Sequence, residues 1–375
     1  MVTSVIVKAL PRGDQASSSI FFATGGNSTI SNESFWEGVA AYHRHVVRLV
    51  DAGAIGYNFL RPGPNGTLSF QNSITMPGMT AAQLYNFTLP LTKDLNEAGI
   101  PMANPQPFGS GAVAPRPPTT RPPPAPTGSP STRSKAQLAE PPGNEIGTRM
   151  LATRLLPREN FEDTNLFEQT MAAIREFVEV GGYTFHGINY SPTVDVAGWP
   201  GNTSSINPHF RRTVTHAEAY DSENANKITS KAEMKARHDR FNEFFQPWRD
   251  LSPTAGSYQN EADVMEPNWQ WAFFGENYPR LLRIKQKTDP WGVFYATTAV
   301  GSEYWQVQGA EQLKTQDGKL CKLARPSTSW REPDGWNDSN GWGWGSRRKQ
   351  FKTPLDNEQL VERRATRPRA VRKQH

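Results

Sequence analysis

The chain has 375 residues, of which 36% are hydrophobic and 11% aromatic, and this composition excludes a fully disordered protein. No apolar run is long enough to span a membrane, and a single cysteine excludes a disulfide scaffold and CxxC-type zinc or iron–sulfur sites. The formal net charge of +5 lies in residues 326–375, which hold 11 Lys and Arg against 6 Asp and Glu. The rest of the chain is neutral overall, so we expect no folded basic face for nucleic acid.

Three stretches stand apart from the body of the chain. In the first residues, Val2, Val5, Val7 and Ala9 alternate and predict a short strand that ends at Pro11. Residues 105–142 contain 12 of the 31 prolines, which fix φ and lack the N–H that ladders need. We therefore predict a disordered insert there, and a disordered basic tail over residues 326–375.

The body of the chain mixes the periodicities of helices and strands. Helices are predicted over 33–52, 80–98 and 163–180, from Ser230 onwards, and from Pro267 to the turn at 289–292. Strands are predicted over 54–60, 67–75, 150–157, 183–190 and 213–220. Residues 24–28, TGGNS, are interpreted as a turn. This mixture predicts an α+β fold, in which an antiparallel sheet is covered by helices on one face.

A run of co-linear motifs follows residue 256. It comprises Tyr258-Gln-Asn260, Trp269, the block FFGENYPRL over residues 273–281, Lys285, and DPWGVF over residues 289–294. This order resembles the C-terminal signature of the berberine-bridge-enzyme-like FAD-linked oxidases of the vanillyl-alcohol-oxidase superfamily. Several motifs in one order over about fifty residues are far more specific than a single short motif.

The resemblance extends over about 1–104 and 143–325 and implies the substrate domain of these enzymes. It divides the chain into a remnant of the end of the FAD-binding domain (1–29), a first substrate-domain segment (30–104), the Pro-rich insert (105–142), a second substrate-domain segment (143–255), the berberine-bridge-like C-terminal segment (256–325) and the basic tail (326–375). The family's FAD-binding domain carries a Gly-rich pyrophosphate loop, and no such loop is found here. We therefore expect most of that domain to be missing and FAD to bind weakly or not at all.

The resemblance also implies a chemistry. Family members pass a hydride from substrate to flavin while a side-chain base removes a proton, and O2 then reoxidises the flavin. By motif position Asn260 and Tyr258 would bind the cofactor, and Tyr258 or Glu261 would serve catalysis. On a regular strand Tyr258 and Asn260 share a face and Glu261 points away, so Glu261 can be the base only if the strand bulges or ends there. His186 could face the flavin, but we favour no role for it.

Two alternatives remain open at the level of sequence. The chain could be a catalytically inactive family remnant that does not bind FAD, or an interaction protein that uses the Pro-rich insert and basic tail. The absence of HxxEH, GxSxG and Walker patterns leaves no basis for a hydrolase or NTPase, and we predict no metal site. We expect a monomer with a small-molecule substrate and no membrane partner.

Seven N-x-S/T sequons favour a secreted glycoprotein, because chance would give about three. They begin at Asn27, Asn32, Asn65, Asn86, Asn189, Asn202 and Asn337. No signal peptide is recognisable at the start of the sequence.

Overall fold

The structure is a computed structural model that describes residues 4, 13–102, 108–110, 150–197, 204–221, 230–309, 313–314, 318–331 and 333. Most of the strand predicted over residues 2–9, most of the Pro-rich insert and most of the basic tail lie outside the described residues. Among the described residues, no helix is both long and apolar enough to cross a bilayer.

Seven strands form one sheet in the order β4-β1-β3-β2-β6-β7-β5, and every neighbouring pair is antiparallel. The strands are β1 (Gln15–Ala23), β2 (Ile55–Pro62), β3 (Leu68–Pro77), β4 (Phe108–Ser110), β5 (Leu151–Pro157), β6 (Thr184–Asn189) and β7 (Thr213–Tyr220). A separate two-stranded ribbon pairs β8 (Trp305–Val307) with β9 (Leu320–Lys322). The predicted antiparallel sheet is confirmed, and within it residues 184–189 pair with residues 215–220.

The four longest described helices, α1, α3, α5 and α7 of the following list, begin at polar caps. They are α1 (Asn32–Arg44), α2 (Val46–Asp51), α3 (Ala81–Glu97), α4 (Glu159–Glu162), α5 (Thr164–Arg175), α6 (Val194–Ala197), α7 (Lys231–Asp250), α8 (Trp269–Phe274) and α9 (Tyr278–Thr288). Side chains of Ser31, Thr80, Asp163 and Ser230 each accept a hydrogen bond from a first-turn backbone N–H, as N-caps do. The helix predicted over 163–180 continues past α5 as a π-turn, Glu176–Val180.

One face of the sheet is buried under helices. Along β1 and β3 the buried residues alternate with exposed or half-buried ones, so that Phe22 and Phe70 point inward. They pack with Phe35 and Tyr42 of α1 in the main hydrophobic core. The opposite face, which we call the open face, carries the remaining side chains of the strands.

Three predictions need correction. Residues 15–23, assigned to the end of a preceding domain, form β1 and pair along their whole length with β3 of this sheet. Residues 108–110, placed in the disordered insert, pair with residues 15–17, because this short piece between prolines retains its backbone donors. The helix predicted from Pro267 is broken between α8 and α9 at Gly275, whose φ of 51° an L side chain rarely adopts.

Buried polar groups run across the helix-covered face. The Tyr42 hydroxyl donates to Asn189 Oδ1 at 2.6 Å, and Asn58 Nδ2 donates to the same oxygen at 3.0 Å. Asn189 Nδ2 then donates to Thr215 Oγ1 at 2.9 Å. This chain of hydrogen bonds links α1 to β2, β6 and β7, and a shift of one strand by one residue would leave these buried groups without partners.

A buried imidazole makes the stability of the fold sensitive to acid. His43 lies in α1 against Phe161 and Phe185, and burial lowers its pKa to about 4 despite the hydrogen bond from Nδ1 to the Val39 carbonyl. Because the unfolded chain then binds a proton that the folded chain does not, stability should fall as the pH drops from 6.5 towards 4.

The His43→Leu variant tests this dependence. Chemical denaturation at about pH 7.5 and 4.5 measures how far the free energy of unfolding drops in each protein. The drop should be roughly 2 to 3 kcal/mol smaller in the variant than in the parent chain. Parallel pH curves for the two proteins would contradict the role given to His43.

Candidate active site

The open face carries a row of side chains in register across four strands. Phe59 of β2 faces His186 of β6, His186 faces Glu218 of β7, and Glu218 faces Thr153 of β5. His186 stacks on Phe59 with ring centroids 3.9 Å apart. Such a row places a carboxylate and an imidazole on a rigid scaffold, beside aromatic rings.

Glu218 is the centre of this row and is almost fully buried. Its Oε2 accepts hydrogen bonds from His186 Nδ1 at 3.0 Å and from the Tyr220 hydroxyl. Burial alone would raise its pKa, but the hydrogen bonds from His186, Glu261 and Tyr220 outweigh burial and lower the pKa to about 2. Glu218 is therefore ionised at any ordinary pH.

The segment after α7 carries the predicted site residues over the end of β5. Ser257 Oγ donates to the Thr153 carbonyl at 2.6 Å, and the Tyr258 N–H donates to Thr153 Oγ1 at 3.2 Å. Gly256 permits this approach, since a Cβ there would lie 2.4 Å from the Ala272 carbonyl oxygen. Hydrogen bonds to β5 thus fix the position of the Tyr258 backbone.

Residues 258–261 do not form a regular strand. Tyr258 is extended, but Gln259–Glu261 form a single 3₁₀ turn in which the Glu261 N–H donates to the Tyr258 carbonyl at 3.0 Å. The condition set by the sequence, that the strand must end for Glu261 to reach the site, is therefore met. The turn brings Tyr258 and Glu261 to the same side, over His216 and Glu218.

Three titratable groups converge where Glu261 of this turn meets two side chains of β7. His216, Glu218 and Glu261 each place a donor atom within 4.8 Å of the others. His216 Nδ1 lies 3.8 Å from Glu218 Oε1 and 4.0 Å from Glu261 Oε2. Burial, together with the hydrogen bond and charge of Glu218, raises the pKa of Glu261 to about 7. Burial lowers the pKa of His216 to about 4, so its imidazole is neutral.

Tyr258 and Asn260 are joined to each other. Asn260 Nδ2 donates to the Tyr258 hydroxyl oxygen at 2.9 Å, which leaves the hydroxyl proton of Tyr258 available to another acceptor. The Tyr258 ring meets Phe210 and His216 edge to face, with centroids 5.3 and 5.7 Å apart. The structure thus brings all three predicted site residues to one place, and their roles stay predictions.

Glu218, His216 and Tyr220 were not predicted from the sequence. Their signal was present, because in TVTHAEAY three titratable side chains recur at every second residue and so share one face of a strand. His186, for which no role was favoured, holds Glu218 through a hydrogen bond. The sequence could not predict that His186 lies opposite Glu218, because this depends on the register of β6 with β7.

The chain is similar to known FAD-linked oxidoreductases and flavoprotein oxidases. Residues 257–301 match the family model described as berberine and berberine like. The VAO-type flavoprotein oxidase VAO615 of Thermothelomyces thermophilus is 31% identical over 301 residues, which are 79% of this chain and 46% of that protein. The FAD-linked oxidoreductase patO of Penicillium expansum is 28% identical over 299 residues, with the same two shares.

Solved structures show the same fold. The crystal structure of the VAO-type flavoprotein MtVAO615 from Myceliophthora thermophila C1 at pH 5.0 gives a TM-score of 0.61 at 25% identity, over 83% of this chain and 50% of that one. MtVAO713 from the same fungus gives 0.60 at 18% identity, over 84% and 52%. The chain spans about half the length of the relatives that it matches. On these grounds it belongs to the berberine-bridge-enzyme-like family of FAD-linked oxidoreductases.

Proposed function

We propose that this chain supplies the substrate side of a flavin oxidase that removes a hydride and a proton from a small molecule. The observation that carries the proposal is the pair of carboxyl groups, Glu218 and Glu261, on the open face beside His216, against whose ring the Tyr258 ring packs. Bound FAD would supply the two-electron acceptor for the hydride, with O2 as the final acceptor.

The open face has the chemistry that a planar, partly apolar ring requires. Phe21 and Tyr57 are 65% and 46% exposed on this face, and Phe59 stacks on His186, which is hydrogen-bonded to Glu218. Buried Nε2 atoms of His186 and His216 have no hydrogen-bond partner among the described residues. By resemblance to the family, Tyr258 and Asn260 would hold the cofactor. Stacking surface and free polar atoms therefore occur together here.

The two carboxyl groups differ in exposure, and this difference assigns them different roles. The Glu218 side chain is 2% exposed and both its oxygens face protein groups, whereas the Glu261 side chain is 45% exposed. A pKa of about 7 also suits Glu261 to accept a proton at neutral pH. We assign Glu261 as the base that takes the proton of a substrate hydroxyl. Glu218 holds it in place.

The Tyr258 hydroxyl completes the polar edge of the site. Because Asn260 donates to its oxygen, the hydroxyl proton can be donated to a substrate oxygen while Glu261 accepts the substrate proton. Tyr258 would then orient the substrate and Glu261 would carry the proton transfer.

The proposal is tested by joining this chain to the FAD-binding domain of a family relative. The purified fusion should retain flavin through gel filtration, and anaerobic addition of a panel of sugars, alcohols and phenolic compounds should bleach the flavin with at least one of them. Readmission of O2 should restore the flavin colour and release peroxide. A folded, flavin-loaded fusion that none of these compounds reduces would contradict the proposal.

We further propose that the protein is a secreted monomer that carries glycans. Four sequon asparagines are exposed, namely Asn27, Asn32, Asn65 and Asn86, whereas Asn189 is 1% exposed within β6. Expression in a fungal secretory host, glycosidase digestion and mass spectrometry should show glycans at exposed sites and none at Asn189. A secreted protein with none of the four modified would contradict this.

A further inference from the structure

We propose that His216, Glu218 and Glu261 form a binding site for a divalent transition-metal ion of the Zn²⁺ class. Nothing in the flavin chemistry requires this ion, and a bound ion would occupy the carboxylate that is assigned as the base. The site would therefore be inhibitory, and its existence can be tested on this chain whether or not flavin binds.

The three donor atoms face one another across a gap. His216 Nδ1 is 3.8 Å from Glu218 Oε1 and 4.0 Å from Glu261 Oε2, which is too long for hydrogen bonds. In a tetrahedral zinc site with bonds of about 2 Å, donor atoms lie about 3.3 Å apart. The two distances from His216 would have to contract by roughly 0.5 to 0.7 Å, and the half-exposed Glu261 side chain on its turn can supply the larger part.

His216 points independently to a missing partner. Its side chain is 2% exposed, its buried Nε2 has no hydrogen-bond partner within the part of the chain that the structure describes, and its Nδ1 lies 3.8 and 4.0 Å from the two carboxylates. Buried polar atoms in folded proteins rarely stay unpaired. A cation between Nδ1 and the two carboxylates would give Nδ1 a partner at bonding distance.

The protein holds two of the ligands ready. His216 and Glu218 are two residues apart on β7 and so share a face. Hydrogen bonds from His186 and Tyr220 fix the other oxygen of Glu218, in the way that outer hydrogen bonds orient metal ligands. Two carboxylates and one imidazole favour zinc or copper over magnesium, which prefers oxygen ligands in an octahedron.

The test is calorimetric titration of the untagged, chelator-treated chain with ZnCl2 in a non-coordinating buffer at about pH 7.5, where the ligands are deprotonated. One Zn²⁺ should bind per chain, and MgCl2 should give no comparable signal. The Glu261→Gln change should weaken the Zn²⁺ affinity about tenfold or more. His216→Gln should do the same. Because Glu261 is half exposed on a turn, its variant keeps the test valid even where the His216 variant fails to fold.

His45→Gln is the matched control. His45 also faces a carboxylate, with Nε2 2.7 Å from Asp94 Oδ2, but no third donor group joins that pair among the described residues. This variant should bind Zn²⁺ as the parent does. Absence of Zn²⁺ binding by the parent chain would overturn the proposal, and so would binding that Glu261→Gln leaves unchanged.

Discussion

Replacing Glu261 by Gln in a flavin-loaded fusion should slow anaerobic flavin reduction by about 10²–10⁴-fold, the usual contribution of a positioned base. Gln keeps the shape of the side chain but cannot accept the proton. The half-exposed Glu261 carboxyl lies beside the buried, ionised Glu218, so of these two carboxylates it is the one that a substrate can reach. Stopped-flow absorbance at saturating substrate measures the rate directly.

Two further variants serve as a control and as a test of the alternative base. Glu97→Gln removes an exposed carboxylate of α3 and should leave the reduction rate unchanged. Tyr258→Phe keeps the ring against Phe210 and His216 but loses the hydroxyl, so it should reduce the rate less than Glu261→Gln does. If Tyr258→Phe abolished reduction while Glu261→Gln did not change it, the base would be the tyrosine.

Glu266→Gln should lower the free energy of unfolding by about 3–5 kcal/mol, as loss of one partner from a buried ion pair does. Glu266 accepts from Arg249 Nε and Nη2 at 2.9–3.2 Å, and Arg154 Nη1 lies 3.9 Å from it. Burial lowers the pKa of Arg154 to about 10, which reflects the cost of its buried charge. Without the carboxylate, two buried guanidinium groups would face each other uncompensated.

This network matters for the site because it ties β5 and α7 to the segment that follows the 3₁₀ turn. Chemical denaturation at neutral pH measures the loss of stability. Glu162→Gln, which removes an exposed partner of Arg158, should cost less than about 1 kcal/mol. Equal effects of the two substitutions would contradict the weight given to burial.

Much of the sheet was predictable because its strands alternate cleanly. The period of two in YTFHGINY and TVTHAEAY, bounded by glycines, prolines and polar loops, predicts strands that the structure places side by side. The helices that begin at Thr80 and Ser230 could be predicted from their caps, because a capping side chain is also a local signal.

The site was harder to predict because it depends on contacts between distant residues. The entry to the turn at Gln259–Glu261 is held by hydrogen bonds from Ser257 and Tyr258 to Thr153, which lies 104 and 105 positions earlier in the chain. Nothing local in SYQNEAD distinguishes this turn from a strand. Glu218 and His186 become neighbours only through the register of β6 with β7. Family resemblance pointed to Glu261 but gave no indication of the carboxyl group beside it.

The central claim is that substrate binds and is oxidised at the open face, next to Glu218, Tyr258 and Glu261. A crystal structure of the flavin-loaded fusion with a substrate analogue bound tests it most directly. We expect an analogue oxygen within about 3 Å of the Glu261 carboxylate and of the Tyr258 hydroxyl. An analogue bound elsewhere, with the two carboxyl groups facing only solvent, would contradict it.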